Sequence, residues 1–241
     1  MVGAAPAGAG DERSAALAVR EMFDEIAPRY DLLNHVLSMN VDRLWWWRTA
    51  RSFRSVLGRP KARALDLCCG TGDMATALRR QAPGVEIVGA DFSRGMLIRG
   101  GSKFRSHRIE AIESDALCLP FADQSFDLVV SAFGFRNLAN YAAGLAEIYR
   151  VLRPNGEVGI LDFSEPGGFV GKLYRFYFRN ILPRVGTMIS GVSGPYAYLP
   201  ASVSRFPSPE EMLERIEAAG YREGTWTAYS FGIAGLYRAK R

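Results

Sequence analysis

The stretch Asp66-Leu67-Cys68-Cys69-Gly70-Thr71-Gly72-Asp73-Met74-Ala75 decides how this chain folds. An apolar run, residues 62–68, leads into it, and a helical pattern, residues 74–82, leads out. A strand that turns through small residues directly into a helix opens a βαβ unit, and glycines there let the backbone approach a ligand at the helix N-terminus. Alone, Gly70-x-Gly72-x-x-Ala75 is a weak sign, because it also satisfies the dinucleotide fingerprint.

The flanking sequence sharpens it. A second apolar run, residues 85–91, closes on Asp91, followed by Phe92; it stands about 20 residues past the loop, where an acid accepts from both ribose hydroxyls. A third run, residues 108–116, ends in Asp115-Ala116, where a carboxylate can accept from an adenine amino group. Runs at 126–133 and 156–163 follow, separated from the others by helical patterns at 94–101 and 141–152. This alternation predicts parallel strands joined by right-handed crossovers. Arg153-Pro154-Asn155-Gly156 predicts a turn into the fifth strand. Ser208-Pro209-Glu210-Glu211 predicts a helix start, with the helix ending near Gly220, and residues 225–239 predict a two-stranded hairpin.

Open parallel sheets bind ligands at the carboxyl ends of their strands. The ribose acid serves nicotinamide and S-adenosylmethionine sites alike. Asp66 and Asp115 at strand ends favour the second, as does the lack of a hydride-side group: the chain has two histidines, His35 and His107, neither with an evident partner. The expected S-adenosylmethionine site therefore comprises Asp66, Gly70, Thr71, Gly72, Asp91, Phe92, Asp115 and Ala116. The expected fold is α/β, a seven-stranded, Rossmann-like class I methyltransferase sheet with helical caps and a seventh, antiparallel strand at its edge.

With 241 residues and 48% apolar composition, the chain can build one sizeable core. A formal charge of +5 suits a polyanion or an anionic membrane without choosing between them. The opening MVGAAPAGAG lacks the basic and Leu-rich parts of a secretory signal, so residues 1–12 are expected to be a disordered tail. Residues 13–60 then form an N-terminal helical cap, broken at Pro28 and near Ser38 to Asn40. Residues 61–241 form the methyltransferase domain, with an irregular substrate-cap insertion at 166–205. Three cysteines, Cys68, Cys69 and Cys118, give neither a disulfide framework nor a metal spacing, so no metal and a reducing cytoplasm are expected. No apolar run reaches the ~18 residues of a membrane span, so any membrane contact must be peripheral.

Tyr30-Asp31-Leu32-Leu33-Asn34-His35, Phe133-Gly134-Phe135-Arg136-Asn137-Leu138, Arg150-Val151-Leu152-Arg153-Pro154-Asn155-Gly156, Tyr196-x-Tyr198-Leu199-Pro200 and Arg205-Phe206-Pro207 stand in collinear order. With these motifs the chain resembles the ubiquinone/menaquinone biosynthesis C-methyltransferase family from Val19 onward. The resemblance implies S-adenosylmethionine-dependent methylation of a prenylated quinol ring, demethylmenaquinol to menaquinol or a ubiquinone precursor. Asp42, Ala132, Asp162, Ala201 and Tyr237 depart from the family's usual residues, outside the cofactor motif.

Ring methylation needs an ionised or ionising phenol, whose ordinary pKa is near 10. Arg136 and Asn137, just past the fourth strand, are the catalytic candidates: a fixed cation and an amide donor at the developing phenolate. Arg136 as an ordinary ion-paired residue is the competing reading. Tyr30, His35, Tyr196, Tyr198 and Arg205 are substrate-pocket candidates from the caps. Two segments, Lys172 to Arg184 and Trp45 to Trp47 with their flanking arginines, mix aromatics with cations; they read either as lipid-interface elements at the inner face of the membrane or as cap helices packed on the sheet. A homodimer stays open, and nucleic acid is not expected, because the cations are interleaved with apolar residues. Two alternatives remain: a methyltransferase for another phenolic or polyketide acceptor, and a non-catalytic cofactor-binding assembly partner.

Overall fold

The computed structural model describes residues 3, 4, 6, 8–29, 38, 40–168, 171, 172, 176, 180 and 195–241, the side chains of 195–197 and 199 excepted. Tyr30 and His35, the Tyr196 side chain and most of the Lys172 to Arg184 segment lie outside this set.

Helix α1 (Glu12–Ile26) starts one residue before the expected cap, at an Asp11/Ser14 capping box. The preceding residues are not wholly detached, since the Ala4 N–H donates to the Leu138 carbonyl at 2.8 Å. After a 3-10 turn (Ala27–Arg29) come α2 (Val41–Ser52) and the short α3 (Arg54–Leu57), with the break at Pro28 where the sequence placed it. The alternation that follows is β1 (Arg63–Leu67), α4 (Asp73–Gln81), β2 (Glu86–Asp91), α5 (Arg94–Ser106), β3 (Glu110–Glu113), β4 (Phe126–Ala132), a 3-10 turn (Phe135–Asn137), α6 (Tyr141–Val151) and β5 (Leu152–Phe163). Helix α7 (Pro195–Arg205), α8 (Pro209–Ala218), β6 (Arg222–Tyr229) and β7 (Ala234–Lys240) complete the described chain.

The seven strands run in the order β3-β2-β1-β4-β5-β7-β6, with β1 to β5 parallel and β7 antiparallel to both its neighbours. Seven strands, the parallel core and the C-terminal hairpin agree with the sequence. The antiparallel strand does not lie at the edge, however; β7 is inserted between β5 and β6, and β6 forms the border. The residues explain it: β7 is almost wholly buried, whereas Arg222, Glu223, Gly224 and Thr225 of β6 are exposed, as suits a border strand that must resist further pairing.

Strand residues alternate between two core layers. Leu65, Val88, Val129, Val158, Ile160 and Tyr237 pack with α6 and α8 on one face. Ala64, Ile87, Leu128, Val130, Leu161 and Leu236 pack with α2, α3, α4 and α5 on the other. At the predicted turn, β5 begins earlier than expected and absorbs Arg153 to Gly156 as an irregularity in its pairing with β4; the left-handed residue there is Asn155 (φ 62°), not Gly156. Helix α8 has the predicted Ser208 cap, closed reciprocally by Glu211. Part of the insertion read as irregular, residues 195–205, is helical with Pro200 inside it.

Candidate active site

The carboxyl ends of β1, β2 and β4 open into one cleft of about 740 Å³, a volume that includes its open mouth. At its floor the β1–α4 loop takes three left-handed residues, Cys68 (φ 57°), Gly70 (φ 54°) and Gly72 (φ 89°). At Gly72 a Cβ would lie 2.4 Å from the Phe104 ring, so only glycine fits between loop and α5. The same holds where the β4 loop crosses β1: a Cβ on Gly134 would lie 2.3 Å from that of Cys68.

Asp91 stands at the end of β2 on the cleft wall. Its Oδ2 accepts the Gly70 N–H at 2.7 Å and its Oδ1 the Ser93 N–H at 2.8 Å. Burial outweighs these bonds and the nearby Asp24 adds repulsion, so its pKa rises to about 6. Gly70, Phe92, Asp115 and Ala116 share this wall. Asp115 lies two residues past the end of β3, where its Oδ1 accepts the Leu117 N–H at 2.9 Å.

Three residues expected at the cofactor do not line the cleft among the described residues. Asp66 is fully buried beneath the loop, where its Oδ2 accepts the Ala75 N–H at 2.8 Å and braces the start of α4. Burial raises its pKa well above the usual carboxylate range. Thr71 accepts from Lys103 Nζ at 3.1 Å, and Lys103 also pairs with Asp73 at 2.7 Å, which ties the loop to α5; Gly72 is the hinge already described.

The opposite wall is formed by Ala132, Phe133, Gly134, Asn137 and Leu138. Arg136 and Asn137 do fall together on the 3-10 turn after β4, but their surroundings differ. Arg136 is buried against Asp162 of β5: Nη1 donates to Oδ1 at 2.9 Å and the backbone N–H to Oδ2 at 3.0 Å. Nη1 also donates to the Phe133 carbonyl and Nε to Ser202 Oγ at 3.3 Å. Arg136 is not among the described residues that line the cleft, and it has the ion-paired arrangement that competed with the catalytic one. Asn137 faces the cleft. Its Oδ1 accepts from the Tyr198 hydroxyl at 3.1 Å, and its buried Nδ2 has no hydrogen-bond partner among the described residues. Burial raises the Tyr198 pKa, which keeps the phenol a donor. Arg205 lies near enough to Tyr198 to act on its charge.

Sequence reading did not foresee α1 as part of the site. Ala16, Val19, Arg20 and Phe23 close the cleft from above. Arg20 pairs with Glu113 at 2.5 Å and lies 5.0 Å over the Phe92 ring, while Asp24 Oδ1 accepts from Ser93 Oγ at 2.5 Å and from the Gly95 N–H at 2.9 Å. Phe133, also unforeseen, packs on Phe163 (centroids 4.6 Å) and on Trp45 (5.7 Å). Of the departures, Ala132 lines the cleft, Asp162 holds Arg136, and Asp42 and Tyr237 are buried. Among the described residues no cluster of His, Cys, Asp or Glu could hold a metal ion.

The ubiE/COQ5 methyltransferase family model matches residues 8–241. The chain belongs to this family. Membership makes the chain an S-adenosylmethionine-dependent methyltransferase. A demethylmenaquinone methyltransferase of Deinococcus radiodurans is 48% identical over 233 residues, 95% of this chain and 94% of the relative. A ubiquinone/menaquinone biosynthesis C-methyltransferase of Geobacter sulfurreducens is 42% identical over 92% of this chain and 88% of its own. Among solved structures, a SAM-dependent methyltransferase of Thermotoga maritima, described as a possible histamine N-methyltransferase, superposes with TM-score 0.66 at 18% identity, covering 91% of this chain and 98% of its own. At that identity the likeness concerns the fold alone, which is the class I methyltransferase fold expected for this family.

Proposed function

We propose that this enzyme methylates a ring carbon of a prenylated quinol with S-adenosylmethionine, and that demethylmenaquinol is the acceptor. One observation carries the reading: Asn137, held by Tyr198 and with a buried Nδ2 that has no hydrogen-bond partner among the described residues, lines the same cleft as Asp91. An unsatisfied buried donor costs free energy unless a ligand takes it, and a phenolic oxygen is a fitting acceptor. The names of the relatives support a quinone-type acceptor.

The residues fit the donor. Asp91 offers carboxylate oxygens to the ribose hydroxyls, Phe92 and Asp115 flank the adenine position, and the Gly70 to Gly72 loop admits a close backbone approach. When bound, S-adenosylmethionine supplies a sulfonium methyl as the electrophile for an electron-rich ring carbon. Asn137 Nδ2 donates to the acceptor's oxygen and favours its ionised form, which activates the adjacent carbon. Phe133, Phe163 and Trp45 exclude water on that side, which strengthens the bond. Arg136, spent on Asp162 and the Phe133 carbonyl, fixes the turn that presents Asn137; its part is positioning.

The test is methyl transfer from labelled donor to short-chain demethylmenaquinol, to a ubiquinol precursor and to simple phenols, with products identified by mass. Carbon methylation of demethylmenaquinol is expected. Transfer only to another phenol would replace the acceptor, and binding of the donor without any transfer would leave a cofactor-binding assembly protein.

A further inference from the structure

One end of α2 carries large apolar groups in water. Leu44 and Trp47 are each 50% exposed and share a helix face with Arg48 and Arg51, at spacings of three, four and seven residues. The turn between β6 and β7 packs on the same helix: Trp45 Nε1 donates to Ser230 Oγ at 2.9 Å, and the Arg48 guanidinium lies 4.2 Å over the Tyr229 ring. That turn projects Phe231, 87% exposed, from a left-handed backbone (φ 60°, ψ 23°). Neither burial nor backbone preference favours a phenylalanine there, since a left-handed non-glycine residue costs about 1–2 kcal/mol. The exposed charge of α2 is of one sign. Arg43, Arg48 and Arg51 are exposed, whereas the one acid of α2, Asp42, is buried and accepts the Arg43 N–H at 2.7 Å.

The patch adjoins the site. Trp45, beneath it, contacts Phe133 of the cleft wall and Phe163, so an aromatic path connects the two.

We infer that α2 and the β6–β7 turn form a docking face for an anionic lipid surface, with Leu44, Trp47 and Phe231 entering the interface and the three arginines meeting phosphates. Resting on the acceptor proposed above, this face sets the cleft against the bilayer in which a prenylated acceptor dissolves. The three arginines of α2 favour lipid over a second copy of this chain, whose matching helix would carry the same charge.

Flotation of the full chain with vesicles of phosphatidylcholine, alone or with phosphatidylglycerol, tests it. Salt-sensitive binding to the anionic vesicles is expected. It should fall about tenfold or more in Trp47→Ala/Phe231→Ala, from the lost apolar burial, and weaken in Arg43→Gln/Arg51→Gln. Both variants should keep the parent's melting temperature and its turnover of a water-soluble short-chain quinol. Equal binding to neutral vesicles, or binding unchanged in the variants, would overturn the inference. So would a dimer that the apolar variant dissociates, because the face would then belong to a second copy. Loss of turnover on the soluble quinol in the parent protein would count against the proposed acceptor instead, with vesicle binding still deciding the docking face.

Discussion

Asp91 shows how one residue's surroundings set a condition for binding. Burial lifts its pKa to about 6, against an ordinary value near 4, and the two backbone bonds only partly restrain the rise. The sign follows from linkage. Without donor, protonation favours the fold, so Asp91's contribution to stability is complete below its unfolded pKa and is lost as pH rises through about 6. Ribose hydroxyls need the ionised form, so donor affinity should be constant above pH 7 and fall roughly tenfold by pH 5, with proton uptake opposing binding. Calorimetry across that range checks it, and a flat profile would remove Asp91 as an ionised acceptor.

The pair beside it separates by the same logic. Arg136→Ala strands a fully buried Asp162 and should cost about 3–5 kcal/mol of stability, read as a large drop in melting temperature. Asn137→Ala should leave stability nearly intact while lowering kcat for the quinol by about a hundredfold, with donor affinity unchanged. Tyr198→Phe should show a weaker form of the same kinetic defect. If Asn137→Ala turns over normally, its N–H does not meet the acceptor. The sequence placed Arg136 and Asn137 on one turn but left the arginine's partner open, because Asp162 is 26 residues away on β5 and only the β4–β5 pairing brings them together.

At the scale of elements, α1 is the least expected contributor. Residues from 13 onward read as helical, but the Asp11 cap fell in the expected tail, and an apolar face alone does not say which groove it covers. The answer lies in polar contacts between distant segments: Arg20 with Glu113, Asp24 with Ser93 and Gly95, and Glu12 with Asn140 at 3.1 Å. Asp24→Ala removes an acceptor for the start of α5, a loss comparable with that of a helix cap, about 0.5–2 kcal/mol. Hydrogen exchange should therefore quicken along residues 15–23, by about 2- to 30-fold, with the strands unaffected. Unchanged exchange would mean that α1 is held by its apolar face. By contrast, the turn of the glycine loop and the place of Asp91 at the end of β2 were legible from sequence, because both are fixed within a single βαβ unit.

At the scale of the whole molecule, apolar runs alternating with helical patterns specified the parallel sheet, and the structure covers it on both faces, as such continuous apolar strands require. What they could not specify was the place of the final strands, since a hairpin can join a sheet by either arm. Exposure decided it, the polar β6 taking the border and the apolar β7 the interior. Among the described residues no helix is long and apolar enough to cross a membrane.

The interior seat of β7 also has a consequence for synthesis. While a nascent chain is still short of residues 234–240, β5 has an open flank and β6, already made, has no strand to pair with. Two hydrogen-bonding edges stay apart until a single seven-residue segment joins them, so closure of the sheet waits on residues 234–240.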